Sequence, residues 1–418
     1  MSHGVRYAHF RALYFVGQMP IGFYLPFFVL HLRDEVGLTP LQISYVFSIG
    51  GLVMLLFQQA WGYAADVWFS KRTLLILTTV GSGLLFAVVG GIRDFSALIS
   101  VYFFYTVLST PVFQLQHALL FTHEGSHHRF GGIRAYGSLG FVVANMAAGI
   151  VADRLTGGRV WFVFPAYLAT AIVAALIAAR LPERRHVNPH RPTFVAVQTF
   201  FMRRPEVALF LMMVFFYQAA HSLSYALQGL LMAGLGADNR TIAMSYSLAA
   251  VLEIPVFFAA NRLIRRFGEM RLMAAAAATQ AVRWLLVWAA DTPQQIVMIS
   301  ALHAITFGVF FACAVSYMNT HAGPYYKASA QTLLALVYFG MASLIGNLAG
   351  GQVMSGGILA SFASRAAAWI GLPDHGDLAN LYLFSAFLAV LALVLAIAHL
   401  ALERREPHAG ASVGAHSD

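Results

Sequence analysis

The stretch Gly62-Tyr-Ala-Ala-Asp66-Val-Trp-Phe-Ser-Lys71-Arg72 lies at the junction of two apolar runs, 42–64 and 73–92. Neither run holds a charged residue. A helix of about 20 such residues is long enough to cross the hydrocarbon core of a bilayer. The stretch is therefore predicted to be a short polar loop between two membrane-spanning helices. Its glycine lets two helices approach closely. Its aspartate can pair with a cation or lie at the N-terminus of a neighbouring helix.

Apolar runs alternate with short polar breaks along the rest of the chain as well. Of the 418 residues, 59% are hydrophobic and 10% are charged, whereas a soluble chain would carry roughly 25% charged residues. Most of the surface is therefore expected to face lipid. The first apolar run is not followed by a signal-peptide cleavage pattern. The single cysteine, Cys313, excludes an internal disulfide and makes a thiolate metal site improbable.

The apolar runs predict an all-α integral membrane protein with twelve transmembrane helices. These are expected near 9–31, 42–64, 73–92, 96–121, 133–153, 160–180, 206–233, 241–263, 272–290, 294–319, 328–351 and 379–402. The long basic loop after residue 180 divides them into two six-helix bundles, and this pattern suggests two repeats related by an axis along the membrane normal. The predicted domains are 1–180, a cytoplasmic linker at 181–205, 206–403 and a disordered tail at 404–418.

Lys and Arg residues are distributed unequally between the two sides of these predicted helices. With a cytoplasmic N-terminus, most of the 26 basic residues fall in inner loops and tails. The predicted outer loops hold only Arg33, Arg93, Arg154, Arg159, Arg240 and Arg365. This positive-inside bias predicts that both termini are cytoplasmic. It also accounts for the formal charge of +9 without nucleic acid as a partner.

In this arrangement the loop at 62–72 resembles the signature loop of the major facilitator superfamily. A degraded counterpart, Asn261-Arg-Leu-Ile-Arg265-Arg266-Phe-Gly268, occupies the equivalent place in the second half. The resemblance covers the whole chain. It implies the major facilitator fold, transport by alternating access, and a loop that closes the inner side in one conformation. The implied gating residues are Gly62, Asp66, Lys71 and Arg72.

Two further segments resemble one branch of that superfamily. Phe130-Gly-Gly-Ile-Arg134-Ala-Tyr-Gly137-Ser138-Leu-Gly140-Phe141 is similar to a segment of proton-coupled sugar, nucleoside and phenylpropionate permeases. Leu302-His303-Ala-Ile-Thr306-Phe307 is similar to the phenylpropionate-permease-like group. The fifth span lacks the Gly-Pro motif typical of drug exporters. The resemblance makes Arg134 a substrate ligand, although its place near a helix end also fits a positive-inside residue paired with Glu124.

Three ionisable residues fall well inside predicted spans. Glu253 is the one acidic residue of 17 near the middle of a span, Arg283 is the one basic residue well inside a span, and His303 lies in the tenth. An ionised side chain at mid-bilayer costs at least ~2.5 kcal/mol. Because the three lie on consecutive spans, we expect them to interact and to couple transport to protons. The alternatives are a static ion pair, Arg283 as a ligand for a substrate anion, and His303 bonded only to a carbonyl.

Other polar and aromatic residues recur at helical spacing on single faces of the spans. Such a face is typical of a cavity wall, although polar residues in membranes also form hydrogen bonds between helices, worth about 0.6 kcal/mol each. The predicted substrate-binding residues are Gln18, Gln114, His117, Arg134, Ser138, Phe141, Gln218, His221 and Tyr225.

The sequence therefore predicts a monomeric, proton-coupled importer in the bacterial inner membrane, whose partners are protons, the lipid bilayer and a small organic solute such as a nucleoside, sugar or aromatic acid. The alternative is a proton-driven efflux antiporter of a small amphipathic compound. A non-transporting membrane sensor or enzyme is disfavoured because the chain holds no His-Glu-x-x-His, Gly-x-Ser-x-Gly or phosphate-loop pattern. No catalytic residue and no cofactor are expected. No metal is expected either, since His123, His127 and His128 lack the spacing of metal ligands.

Overall fold

The computed structural model describes residues 3–121, 126–182, 204–322, 327–356, 359, 365, 368 and 376–405, and this part contains helices but no strand. Its α-helices, in chain order, are α1 (His3–Tyr24), α2 (Phe28–Asp34), α3 (Pro40–Tyr63), α4 (Lys71–Val89), α5 (Phe95–Ser109), α6 (Val112–Phe121), α7 (Ser126–Leu155), α8 (Val163–Ala179), α9 (Pro205–Ala226), α10 (Gln228–Gly234), α11 (Asn239–Phe267), α12 (Glu269–Trp288), α13 (Pro293–Ile299), α14 (Phe310–His321), α15 (Lys327–Ala335), α16 (Ala342–Met354) and α17 (Asp377–Arg405).

Ten helical stretches of the described chain are long and apolar enough to cross a membrane, so the chain is a multi-pass integral membrane protein. They are Tyr7–Asp34, Pro40–Tyr63, Lys71–Val89, Phe95–Phe121, Gly131–Leu155, Pro205–Ala226, Asn239–Phe267, Pro293–His321, Ser329–Met354 and Asp377–Leu402. The two other predicted spans correspond to α8, which has 17 residues, and α12, which carries Arg283. Twelve crossings therefore stay a prediction. Residues 183–203 of the linker and 406–418 of the tail lie outside the described residues, and α17 extends to Arg405, beyond the predicted tail boundary.

Several helices begin at a polar residue that caps them. The side chains of Thr39, Ser70, Asp94, Asp238 and Thr292 each accept a hydrogen bond from the backbone N–H three residues later. Such caps satisfy backbone donors that have no partner within the helix. The polar breaks in the sequence therefore fix where these helices start.

Two kinds of irregularity interrupt the helices. Pro26 lies in the turn between α1 and α2, and Pro111 lies between α5 and α6, where the proline has no N–H for the helix. The chain is π-helical at Ala64–Trp68, Ala304–Val309 and Leu336–Met341. His303 lies between a short 3₁₀ turn, Ser300–Leu302, and the second π segment, Ala304–Val309. Such segments often mark functional positions in helices.

The apolar cores differ between the two ends of the molecule. We call the end with loops 35–39, 90–94, 156–162, 235–238 and 289–292 the outer end, because the basic residues predict that it faces away from the cytoplasm. There one core joins residues of both halves, including Phe28, Leu98, Leu227 and Ile242. Toward the inner end each half has a core of its own, and these include Phe10, Leu74 and Leu119 in the first half and Met273, Tyr317 and Ala396 in the second.

Glycines allow the two halves to approach closely near the outer end. A Cβ atom on Gly149 of α7 would lie 2.8 Å from the carbonyl oxygen of Asn239 in α11. One on Gly51 of α3 would lie 2.5 Å from the backbone nitrogen of Leu344 in α16. Neither position has room for a larger residue without movement of the facing backbone.

Two buried amides link the same helix pairs. Asn145 of α7 donates through Nδ2 to the carbonyl oxygen of Ala243 in α11 at 2.7 Å. Asn347 of α16 donates through Nδ2 to the carbonyl oxygen of Phe47 in α3 at 2.9 Å. These bonds and the glycine contacts hold the halves together on the outer side.

Candidate transport site

A cavity of about 570 Å³ lies between the two halves. Seven of the nine predicted substrate-binding residues line it, together with Glu253 and His303. The seven are Gln18, Arg134, Ser138, Phe141, Gln218, His221 and Tyr225. The helical spacing of these residues therefore identified the faces of α1, α7 and α9 that border this space.

Gln114 and His117 of α6 are not among the lining residues, contrary to expectation. Tyr14 and Phe113 border the cavity instead. The hydroxyl of Tyr14 lies 2.8 Å from Nδ1 of His117, and the Phe113 ring centroid lies 4.2 Å from that of His117. The two aromatic residues border the cavity and both contact the imidazole of His117.

Several aromatic lining residues were not predicted. They are Tyr14, Tyr24, Phe47, Phe113, Phe307 and Phe339. With 34 Phe and 17 Tyr in the chain, aromatic identity alone carries little information. For Tyr14 a usable signal exists, because it lies four residues before Gln18 and so shares its helix face.

The three ionisable residues inside the spans form a chain of contacts rather than a direct ion pair. Arg283 Nη1 lies 2.8 Å from His303 Nδ1. A guanidinium group has donors only, so Nδ1 must accept, and the neutral imidazole carries its hydrogen on Nε2. His303 Nε2 in turn lies 3.0 Å from Glu253 Oε1. The imidazole therefore separates the carboxylate from the guanidinium.

Arg283 lies behind the cavity wall and is fully buried. Its Nη1 also donates to Thr306 Oγ1 at 3.2 Å, and its Nη2 to Gln228 Oε1 at 3.5 Å. Its guanidinium carbon lies 4.6 Å from the centroid of the Trp284 ring, a cation–π distance. A solute in the cavity cannot reach this group, so the structure does not support Arg283 as a direct ligand for a substrate anion.

The irregular helix around His303 is held by neighbouring aromatic residues. The hydroxyl of Tyr217 donates to the carbonyl oxygen of Thr306, in the π segment. On the imidazole itself, Tyr225 and Phe307 both stack, with centroid distances of 4.7 and 5.3 Å and interplanar angles of 2° and 5°. The stacked rings fix the plane of the imidazole, and with it the direction of Nε2–H.

Arg134 faces the cavity from α7, in the first half. Its guanidinium carbon lies 5.5 Å from the ring centroid of Phe113 and 4.9 Å from that of Phe257, which belongs to the second half. It forms no hydrogen bond or ion pair with any residue that the structure describes. Glu124, its suggested partner, lies outside the described residues. The guanidinium edge is therefore open to a solute.

The loop at 62–72 makes contacts within the first half. Arg72 Nη1 donates to the carbonyl oxygen of Leu181 at 2.9 Å. Lys71 begins α4, and Asp66 lies in the π segment Ala64–Trp68. A Cβ on Gly62 would meet no atom of the described residues within 4 Å, so these residues show no close helix approach there. The gating role of this loop stays a prediction.

Comparisons with known proteins agree with this architecture. The chain matches the model of the MFS_1 like family over residues 7–365. It is 29% identical over 352 residues to "Maltose permease" of Geobacillus stearothermophilus, covering 82% of this chain and 87% of that protein. It is 24% identical over 316 residues to "Probable 3-phenylpropionic acid transporter" of Escherichia coli strain K12, covering 74% and 81%.

Among solved structures, the chain is similar to that of the nucleoside transporter NupG. The TM-score is 0.75, over 96% of this chain and 99% of that one, at 16% identity. At this identity the likeness concerns the fold alone.

Proposed function

Because the chain belongs to the MFS_1 like family, we propose that it is a proton-coupled symporter that imports a small organic solute. It is a membrane transporter and not an enzyme. In the proposed arrangement, twelve helices form two six-helix bundles, 1–180 and 206–403, with both termini in the cytoplasm of a bacterium. The protein would act as a monomer in the inner membrane and alternate between outward and inward access.

The observation that carries the proton coupling is the contact between Glu253 and His303. Glu253 is the only acidic residue among the described residues that line the cavity. His303 already accepts from Arg283 at Nδ1, so adding a second proton would break that bond and place two cations side by side. The group that gains and loses the proton is therefore Glu253, and His303 positions it.

The contacts between the two halves at the outer end indicate which state of the transport cycle the structure represents. With the outer core shared and separate inner cores, the structure fits a state in which the cavity exchanges solute with the cytoplasm. Opening of the outer end would require the Asn145 and Asn347 bonds to break. Protonation of Glu253 from the outside would favour solute binding, and its deprotonation inside would favour release.

The walls of the cavity suit a solute with a ring and polar substituents. Aromatic rings, amides and hydroxyls occur on both sides, and such surfaces stack a ring and bond its substituents. The named relatives act on maltose and, as a probable substrate, 3-phenylpropionic acid. A sugar, a nucleoside or an aromatic acid is accordingly the proposed cargo.

Uptake into proteoliposomes under an imposed pH gradient tests the proposal. We expect gradient-driven accumulation with the native chain. Glu253→Gln should abolish accumulation but preserve exchange of solute, because a permanently neutral side chain carries no proton. Glu206→Gln, at the start of α9 and away from the cavity, is the matched control and should transport normally.

The direction of flux separates the two candidate functions. Loss of solute from the compartment that protons enter would indicate the efflux antiporter instead. Accumulation that survives Glu253→Gln would show that another group carries the proton.

A further inference from the structure

The transport site holds more fixed positive than negative charge. Arg134 and Arg283 are both cations, since arginine stays protonated in proteins, whereas Glu253 is the one carboxylate of the described lining. From this imbalance we propose that the transported solute is an organic anion whose acidic group binds Arg134 in competition with Glu253. The inference rests on the proposed transport function and specifies its substrate class.

The two arginines differ in what compensates their charge. Arg283 donates to an imidazole, a hydroxyl and an amide, all neutral, and lies behind His303. Arg134 has aromatic rings on its faces and no hydrogen-bond partner among the described residues. In a cavity lined largely by apolar side chains, a cation with unused donors is stabilised by a countercharge. A carboxylate can accept two parallel hydrogen bonds from it, whereas a neutral sugar would leave the charge uncompensated.

Glu253 and Arg134 line the same cavity, and their opposite charges attract each other. While Glu253 is ionised, its negative charge partly neutralises Arg134 and repels a second anion. Once Glu253 is protonated, Arg134 has no countercharge, and a solute carboxylate takes that role. Protonation and anion binding therefore strengthen each other, as binding linkage requires. Affinity for the anion should rise as the pH falls and weaken as it rises.

The other groups near Glu253 do not reverse this direction. His303 is held as the neutral tautomer by Arg283, and Arg283 is a permanent cation. The remaining neighbours are neutral tyrosines and a second imidazole. The titratable and charged groups that face Glu253 or its contacts from the packed elements are Arg134, His221, Tyr225, Arg283, His303 and Tyr338.

The aromatic residues of the wall point to a further feature of the solute. Phe113 and Phe141 line the cavity, and aromatic walls stack a ring. We therefore expect the acid to carry a ring.

The test uses the purified full-length chain and a panel of ring-bearing carboxylates, each paired with its uncharged carboxamide. A hydroxyphenylpropionate and its carboxamide form one such pair, and a neutral disaccharide and a nucleoside complete the panel. At pH 6 we expect at least one carboxylate to raise the Tm and its carboxamide to have at least tenfold weaker affinity. Between pH 6 and 8 the solute carboxylate stays ionised. The expected loss of affinity, up to about tenfold per pH unit, would therefore come from deprotonation of the protein and not of the solute.

Two variants assign the effect to the named residues. Arg134→Gln should abolish binding of the carboxylate, and Arg134→Lys should retain part of it. Glu253→Gln should make the affinity independent of pH. The Tm without ligand and the gel-filtration profile show whether each variant is folded; if Arg134→Gln is not, the pH response of Glu253→Gln decides alone.

The inference is overturned if no carboxylate binds, if a carboxamide binds as tightly as its acid, or if the folded Arg134→Gln variant binds normally. Gradient-driven accumulation of a neutral sugar or nucleoside, without competition by any acid, would refute the inference that the solute is an anion. It would leave the proposal of proton-coupled transport intact. Absence of accumulation for every solute would instead refute the transport proposal.

Discussion

His303 Nε2 lies 3.0 Å from Glu253 Oε1, and the hydrogen between them belongs to the imidazole. This assignment follows from the donor on the other side of the ring, because Arg283 cannot accept a hydrogen bond. The proposed proton carrier is thus held by a neutral donor rather than by a charge. Its ionised form keeps a hydrogen bond, and its protonated form remains accessible from the cavity.

Replacement of His303 should separate positioning from packing. His303→Gln retains an N–H donor near the Nε2 position, whereas His303→Ala removes it. A hydrogen bond to a charged group is worth ~1.5–3 kcal/mol, so we expect His303→Ala to lower gradient-driven uptake about tenfold or more. It should also move the pH at which uptake falls to higher values, since the ionised carboxylate loses its donor. Comparable uptake and pH profiles in the two variants would contradict the positioning role.

Gly51 and Gly50 form a matched pair for the close contact between α3 and α16. A Cβ at Gly51 would lie 2.5 Å from Leu344 N, while one at Gly50 would meet no described atom within 4 Å. Gly50→Ala should leave the Tm unchanged or raise it, because alanine favours the helix by about 1 kcal/mol. Gly51→Ala should lower it. Thermal unfolding in detergent measures both, and equal shifts would show that the helices do not approach as described.

Asp153 of α7 accepts hydrogen bonds from the backbone N–H groups of Asn239 at 3.0 Å and Arg240 at 2.8 Å, at the start of α11. A carboxylate at a helix N-terminus stabilises it by roughly 1–2 kcal/mol. Asp153→Ala should therefore open the outer end about 5–30-fold more often, and Asp153→Asn should have a smaller effect.

Thiol labelling can follow this opening. Ser44 is fully buried against Gly351 on the outer side. In a Cys313→Ser background, a cysteine introduced by Ser44→Cys should react faster when Asp153→Ala is present. Unchanged labelling would mean that the contact does not hold the outer end.

Asp238 gives a prediction for stability against pH. Its side chain accepts from Thr241 N at 2.8 Å, and hydrogen bonds from Thr241 lower the pKa of this carboxyl below its usual value. A carboxyl with a lowered folded-state pKa stabilises the fold above its usual pKa, about 4, and loses this contribution as the pH falls further. Asp238→Ala should cost about 1 kcal/mol at pH 7, and Asp238→Asn should cost less.

Thermal unfolding from pH 7 to 3 checks the sign. The difference between the native chain and Asp238→Ala should shrink below pH 4. A difference that grows there would contradict the capping role.

Much of this arrangement follows from sequence, and the failures have identifiable physical causes. Length and apolarity predicted the helices, and spacing on α7 and α9 predicted which faces border the cavity. The same spacing failed for His117, because the face of α6 that carries it packs against Tyr14. Burial of polar groups was anticipated for Glu253 and Arg283. The position of an imidazole between them was not anticipated. The sequence gives the depth of each residue in the membrane but not the direction of its side chain around the helix axis.

The π segment Ala304–Val309 determines that rotation. An α-helix turns by about 100° per residue, and a π-turn accommodates one additional residue. Deleting a single residue there would let the helix rewind as a regular α-helix and turn His303 by roughly a quarter of a circle relative to α14. The chain would remain continuous and apolar, yet the imidazole would point away from Glu253. In this protein the contact between His303 and Glu253 therefore depends on the π-helical winding of Ala304–Val309.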